Sequence, residues 1–269
     1  MIKQLQDLTI WNDPKLFDVS LYDLKSKYDD VIAPRSSGTQ FFQDNLFTLK
    51  NYVELHQNMI SYIFTVCEHK TQPDFVKFQS VSLLQRYLKA KNYSLKKERM
   101  QLIALSCILL ASKQCDEEIQ IKKIHKYAGY SFTNQDFSTC QLKILKSLNF
   151  KLVNLADDIY GYTQLCLLSI KSLLPNDENV TFNWLQGFSI NILEMLYQNN
   201  QFFHSYSIPE LATGLIQTSI IILSKFAGAS PITLRLSNFT RVDIITIEKV
   251  SKRMLKHVLG EHIYNQFKF

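Results

Sequence analysis

Seven glycines and six prolines in 269 residues leave this chain few places to turn sharply. Its apolar residues recur three and four apart rather than alternating, so an all-α protein is expected and no strand is needed. The five cysteines, Cys67, Cys107, Cys115, Cys140 and Cys166, contain no Cys-x-x-Cys pair, and no histidine stands at metal-ligand spacing from them. That argues against a zinc ribbon or a disulfide framework and for reduced, small core residues. No metal and no cofactor are expected. No apolar run reaches the roughly 18 residues of a membrane span, and Met1–Asp7 is too polar for a signal peptide. The expectation is a soluble intracellular protein, nuclear or cytoplasmic, with a fixed cytoskeletal assembly left open. A glycine-rich phosphate loop is also missing, and His125, His204, His257 and His262 are scattered among helices. No catalytic residue is assigned, and the chain is not expected to be an enzyme.

Charge of one sign is only mildly in excess: 30 basic against 24 acidic residues give +6 at pH 7. The basic residues form short clusters, Lys96-Lys97-Glu98-Arg99, Lys122-Lys123 and Lys249 to Lys256. None interleaves with aromatics as a single-strand binder requires, so a solvated surface is the expected role and nucleic acid is not the expected partner.

What the chain does have is a near-repeat of itself. Leu102 to Lys113 is an almost unbroken apolar run ending Leu110-Ala111-Ser112-Lys113, and a second apolar run, Ile220-Ile221-Ile222-Leu223, ends in Ser224-Lys225. The two lysines are 112 residues apart, and Leu145-Lys146-Ser147-Leu148 has a counterpart 110 residues on in Leu255-Lys256-His257-Val258. A period this long marks a duplicated domain, because solenoid units run roughly 20–50 residues.

Residues 1–39 read as a leader with turn chemistry at Asp13-Pro14 and Ala33-Pro34, draped over the first domain. The first domain, 40–152, is expected to hold five helices. They are about 40–67, 75–89, 97–113, 120–128 ending at Gly129, and one opened by Thr133 that carries Phe137, Leu142, Leu145 and Leu148. The third helix is apolar on nearly every side and must therefore be encased by others. Thr133 and Asp136 form a capping box, although Asp is weaker than Glu for the return bond. The second domain, 153–269, repeats the pattern at about 156–173, 181–198, 208–226, 233–240 and 242–259, with a second capping box at Ser207 and Glu210.

Tandem five-helix units with a central helix closing in Ala-Ser-Lys resemble the cyclins. Leu84-Gln85-Arg86-Tyr87-Leu88 is similar to that family's Leu/Ile-Asp-Arg-Phe-Leu, and Leu102 to Lys113 is similar to its run ending Leu-Ala-Ser-Lys. Acidic residues follow at Asp116, Glu117 and Glu118, and Leu145-Lys146-Ser147-Leu148-Asn149-Phe150-Lys151-Leu152 resembles Leu-Lys-x-Leu-x-Phe-x-Leu. These motifs cover residues 75–152, while 153–260 match by pattern.

The resemblance implies two tandem cyclin boxes and a regulatory subunit that binds and activates a cyclin-dependent Ser/Thr kinase. In the family a Lys closing helix three and a Glu in helix five hold the kinase's regulatory helix and so order the catalytic site. The Lys corresponds to Lys113 and the Glu to Gln141, with Asp116, Glu117 and Glu118 on the same implied interface. A neutral amide still bonds backbone but loses a charge-assisted contribution of about 1–2 kcal/mol. A plainer role for Lys113 stands beside this one, since a lysine in a helix's last turn favours the dipole anyway. Arg86, Thr133 and Asp136 are expected to be structural. The family's substrate-docking patch is not matched: Leu55-His56-Gln57-Asn58-Met59-Ile60-Ser61-Tyr62 has no Arg, and the only Arg-x-x-Leu, Arg99 to Leu102, lies inside the core helix. That points to a non-mitotic type. The alternative is a kinase-independent cyclin-fold scaffold within a larger protein assembly. General transcription factors of the IIB type share the duplicated fold, but they carry a zinc ribbon, and the leader here has no cysteine.

Overall fold

The computed structural model describes residues 46–91, 99–115, 119, 121–154, 158–174, 178–197, 202, 205–223 and 229–264. The leader, the acidic trio Asp116, Glu117 and Glu118, and Ser224-Lys225 lie outside them. Among the described residues the secondary structure is entirely helical, and they divide into two compact units. One runs up to Tyr160 and includes Tyr197; the other holds Gly161–Leu196 and the described residues from Phe202 onward.

The first unit is built on α1 (Leu46–His69), α2 (Asp74–Ala90), α3 (Met100–Ser112), α4 (Ile121–His125) and α5 (Asn134–Ser147). Every residue of α3 is buried except Gln101. A helix that is apolar all round gains stability only when others surround it, each large side chain contributing roughly 1.5–3 kcal/mol of burial. Gln101 shows how α3 is held in register. Its amide donates to the Tyr62 hydroxyl of α1 at 3.0 Å and to the Tyr127 carbonyl after α4 at 2.8 Å.

The face that α2 buries contains Phe78, Val81, Leu84, Tyr87 and Leu88, and also two charges. Lys77 reaches Asp74 at 3.3 Å and lies over the rings of Phe64 and Phe78 at 5.6 and 5.5 Å. Burying such a pair is made tolerable by the contact of each charge with the other and of the ammonium with aromatic faces.

The second unit contains α6 (Ile159–Ile170, from Gly161 onward) with a 3-10 turn at Lys171–Leu173, α7 (Glu178–Tyr197), α8 (Ile208–Leu223), α9 (Ala229–Thr240) and α10 (Ile244–Tyr264). Here α8 is the encased helix, buried from Leu211 to Ile220. Its small and polar residues are satisfied locally: Ser219 bonds the Ser189 hydroxyl at 3.0 Å and Thr233 bonds Gln217 at 2.8 Å. On α10 the buried positions Ile247, Val250, Ser251, Met254 and Leu255 recur at helical spacing. Its regular course is interrupted at Gly260, where φ is +76°, a value that glycine reaches without a Cβ clash.

Boundaries depart from expectation where local chemistry decides. The fourth helix stops at His125 rather than near residue 128, because the following N–H groups close tighter turns, Tyr127 to Ile124 O at 2.9 Å and Gly129 to Lys126 O at 3.3 Å, before Gly129 and Tyr130 turn left-handed. The segment expected at 233–240 is a full helix from Ala229. On α5 the inward face is Phe137, Cys140, Gln141 and Ile144, while Leu142 is 45% exposed. Counting three, four and seven from Phe137 lands on Cys140, Gln141 and Ile144, so the helix period places Leu142 about 100° round from Gln141 and off that face.

Candidate functional site

Lys113 is the C-cap of α3, where carbonyls left over by the helix ladder find partners just past its end: Gln114 N–H donates to Ala111 O at 3.0 Å and Cys115 N–H to Ser112 O at 3.2 Å. Its position follows from the apolar run before it: Leu109 to Ser112 are buried, and the chain becomes polar at residue 113 as it reaches solvent. The ammonium of Lys113 donates to Gln141 Oε1 at 3.0 Å, joining the end of α3 to the middle of α5. Lys113 is exposed, whereas Gln141 is only 8% exposed, so the amide forms a buried shelf beneath a cation at the surface.

Charge decides what such a pair can do. A carboxylate at residue 141 would cancel the lysine, but an amide leaves a net positive charge. With its oxygen taken, the amide keeps two N–H donors, and the ammonium keeps two of its three. The pair is therefore donor-rich and suited to carbonyl or carboxylate acceptors, which the C-terminal end of a helix supplies.

Apolar side chains follow on the same stretch of chain. Leu142 comes directly after Gln141, and Phe150 and Val153 lie past the end of α5, with Phe150 63% exposed. Phe150 is not loose. Asn149 and Phe150 have φ of +51° and +58°, and the Phe150 N–H donates to Leu145 O at 2.8 Å. Just beyond, the Arg86 guanidinium donates to Leu152 O at 2.7 Å and to Lys151 O, and the Gln79 amide adds a bond to Leu152 O at 2.8 Å. A bulky residue in left-handed backbone costs roughly 1–3 kcal/mol and persists only where its surroundings over-determine it. Arg86, reaching from α2, is part of what holds the segment.

Thr133 and Asp136 sit at the other end of α5. Asp136 N–H donates to Thr133 Oγ1 at 3.2 Å, and the Asp136 carboxylate accepts from Thr133 N and Oγ1 at 2.8 and 2.6 Å. These bonds hold the Asp136 carboxyl below the usual carboxylate range. The geometry thus brings Lys113 to Gln141 and sets Arg86, Thr133 and Asp136 as braces around α5. Sequence reasoning missed Leu142, Phe150 and Val153. The signal available was Asn149, a residue that tolerates left-handed backbone directly before an aromatic.

Four cysteines, Cys67, Cys107, Cys140 and Cys166, are buried, and Cys115 is half-buried; all five are free thiols. Burial pushes the Cys67 thiol up to about 12 and raises Cys107, Cys140 and Cys166 as well. Thiols held protonated are poor nucleophiles. Among the described residues no group of three or more His, Cys, Asp or Glu side chains is placed to hold a metal ion, and no helix is long and apolar enough to cross a membrane.

The family description "Cyclin, N-terminal domain" matches residues 43–153, the stretch that contains Arg86, Lys113 and Gln141. The fold beyond that stretch also has solved counterparts. A viral cyclin from herpesvirus saimiri superposes with a TM-score of 0.67 at 17% identity, covering 89% of this chain and 96% of its own. The chain has the cyclin fold. A chain in the CAK complex from Chaetomium thermophilum, bound to ATP-γ-S, aligns with a TM-score of 0.50 at 12% identity over 94% of this chain and 80% of that one. No curated protein matches the sequence. At these identities the structural likeness speaks to the cyclin fold, and the residues around Lys113 must carry the functional argument themselves.

Proposed function

We propose that this cyclin-fold chain is a regulatory subunit that binds a Ser/Thr protein kinase through the face built on Lys113 and Gln141. The observation that carries the proposal is the 3.0 Å bond between them, a surface cation seated on a buried amide within the cyclin box. Their remaining N–H donors fit the unpaired carbonyls at the C-terminal end of a partner helix. Leu142, Phe150 and Val153 add exposed apolar area of the kind a stable interface needs at its centre. Docking such a helix fixes its orientation, and in a kinase the helix αC glutamate must reach the ATP-binding lysine for catalysis. Structural support for a kinase partner is the likeness to a chain of the ATP-γ-S-bound CAK complex.

The neutral side chain of Gln141 supports a second reading, a cyclin-fold scaffold that serves a larger assembly without a kinase. One preparation separates the two. The tagged protein is purified from its own cells, its partners are identified by mass spectrometry, and the eluate is assayed for phosphate transfer to a generic Ser/Thr substrate. A stoichiometric kinase with activity supports the regulatory subunit. Stoichiometric non-kinase partners without activity would replace it with the scaffold.

A further inference from the structure

Lys122, His125, Tyr130 and Asn134 line an open cleft of about 460 Å³ where α4 turns into α5. None of the four is acidic, and most of their free groups are donors. His125 Nε2 lies 2.7 Å from Asn134 Oδ1, so the ring N–H occupies the amide oxygen and the Asn134 NH₂ remains to donate elsewhere. The Lys122 ammonium and the Tyr130 hydroxyl complete the set. Lys123 and Lys126 are exposed beside them, and no ion pair among the described residues engages any of the three lysines. The acidic residue in the first turn of α5, Asp136, is committed to Thr133 N and Oγ1.

The cleft is also firmly anchored. Tyr127 O accepts from the Tyr62 hydroxyl at 2.9 Å and from the Gln101 amide at 2.8 Å, and the His125 ring meets Phe137 edge-on at 5.3 Å. Beyond that anchor Gly129 and Tyr130 adopt φ of +56° and +57°, which leaves Tyr130 74% exposed at the mouth of the cleft. A tyrosine is held in this backbone region only where its surroundings impose it.

We propose that this cleft binds a phosphomonoester carried on a protein segment, a phosphoserine or phosphothreonine. Three kinds of donor and no carboxylate line the cleft, which suits a dianion with three acceptor oxygens and disfavours a cationic ligand. The cleft is too open to enclose a free small molecule, which ordinarily buries most of its surface. A chain-borne phosphate gains the missing contacts from its neighbours, and the exposed Tyr130 ring is the surface beside it. The proposal uses none of Lys113, Gln141, Leu142 or Phe150, so it stands or falls independently of kinase binding.

The test is a titration of the full-length chain followed in ¹H–¹⁵N spectra, with three probes: a short peptide with a central phosphoserine, its unphosphorylated twin, and inorganic phosphate. The phosphopeptide is expected to shift Tyr130 and Asn134 and to saturate. The twin is expected to leave them in place, and inorganic phosphate to bind about ten-fold or more weakly. Lys122→Glu, or Lys122→Gln where the reversed charge disturbs the fold, should weaken the phosphopeptide about ten-fold while Tm is unchanged. A silent cleft, an equal response to the twin, or undiminished binding in both Lys122 variants would overturn the site. Inorganic phosphate binding as tightly as the phosphopeptide would overturn its assignment to a protein segment.

Discussion

Gly214 of α8 lies so close to Val250 of α10 that a Cβ built on it would stand 2.4 Å from the valine Cγ1 and 2.9 Å from its Cβ. The crossing is tight enough that Thr218, one turn on, bonds Gly214 O at 2.7 Å and reaches Ser251 O of α10 at 3.3 Å. In an exposed helix Gly→Ala stabilises by about 1 kcal/mol, but here overpacking of roughly 1–3 kcal/mol opposes and exceeds it. Gly214→Ala is expected to lower Tm by several degrees. Adding Val250→Ala should recover only part of the loss, because the 2.9 Å contact with the Val250 Cβ remains. Thermal unfolding of the single and double variants checks this, and an unchanged or raised Tm for Gly214→Ala contradicts it.

Arg86 supplies a second prediction. Its guanidinium bonds two successive carbonyls, those of Lys151 and Leu152, and a lysine ammonium is a point charge that does not reproduce the fork. Arg86→Lys should therefore cost about 1–2 kcal/mol and Arg86→Ala about 2–3 kcal/mol in urea unfolding. Hydrogen exchange should localise the loosening to residues 149–153. Uniform loss of protection across the first unit would show that Arg86 braces something broader.

The acid limb of stability should depend on two helix caps. Asp136 is lowered by its bonds to Thr133, and Asp243 by its bonds to Thr246, whose N–H and hydroxyl reach the carboxylate at 2.8 and 2.6 Å. A carboxyl depressed in the folded state binds its proton more readily when unfolded. Its contribution is thus complete above the unfolded pKa, about 3.9, and is lost as pH falls through the lower folded value. Denaturation midpoints measured from pH 6 downward should fall less steeply for Asp136→Asn with Asp243→Asn than for the parent. Parallel curves would contradict this account.

These residues also show what could be read in the sequence and what could not. The run from Leu102 to Ser112 announced an encased helix, because no arrangement other than burial suits a helix apolar on all sides. Thr133 and Asp136 at three-residue spacing announced a cap, and the motifs around Lys113 and Gln141 marked two side chains that the structure places 3.0 Å apart. Hydrophobicity alone does not mark Leu142 as exposed; the helix period does, by setting Cys140 and the polar Gln141 on the buried face. The cap at Asp243 escaped notice because its order is reversed, with the acid first and the threonine third after it. The exposure of Phe150 depends on left-handed backbone fixed partly by Arg86, 64 positions earlier in the chain, and no local pattern encodes that.

Gln141 permits a test of the electrostatics of the candidate face. Gln141→Glu turns a hydrogen bond from a charged donor into an ion pair with Lys113. Since Lys113 is exposed, solvent screening limits the gain in stability to roughly 0–1 kcal/mol. The larger consequence is a lost amide donor and a cancelled positive charge. If the partner is held through carbonyl acceptors, binding should respond to Gln141→Glu far more than Tm does. A change in Tm without a change in binding would place residue 141 among the braces and not on the contact face.

The central claim is tested most directly by measuring Kd between the purified chain and its co-purified kinase, for the parent and for Lys113→Glu, with Tm recorded for both. Reversing a charge at an interfacial hydrogen-bonded site costs roughly 2–5 kcal/mol. The account therefore predicts a Kd weakened by about two orders of magnitude or more, a matching loss of kinase activation, and nearly unchanged stability. An unaltered Kd with full activation in Lys113→Glu would contradict it and move the interface off Lys113 and Gln141.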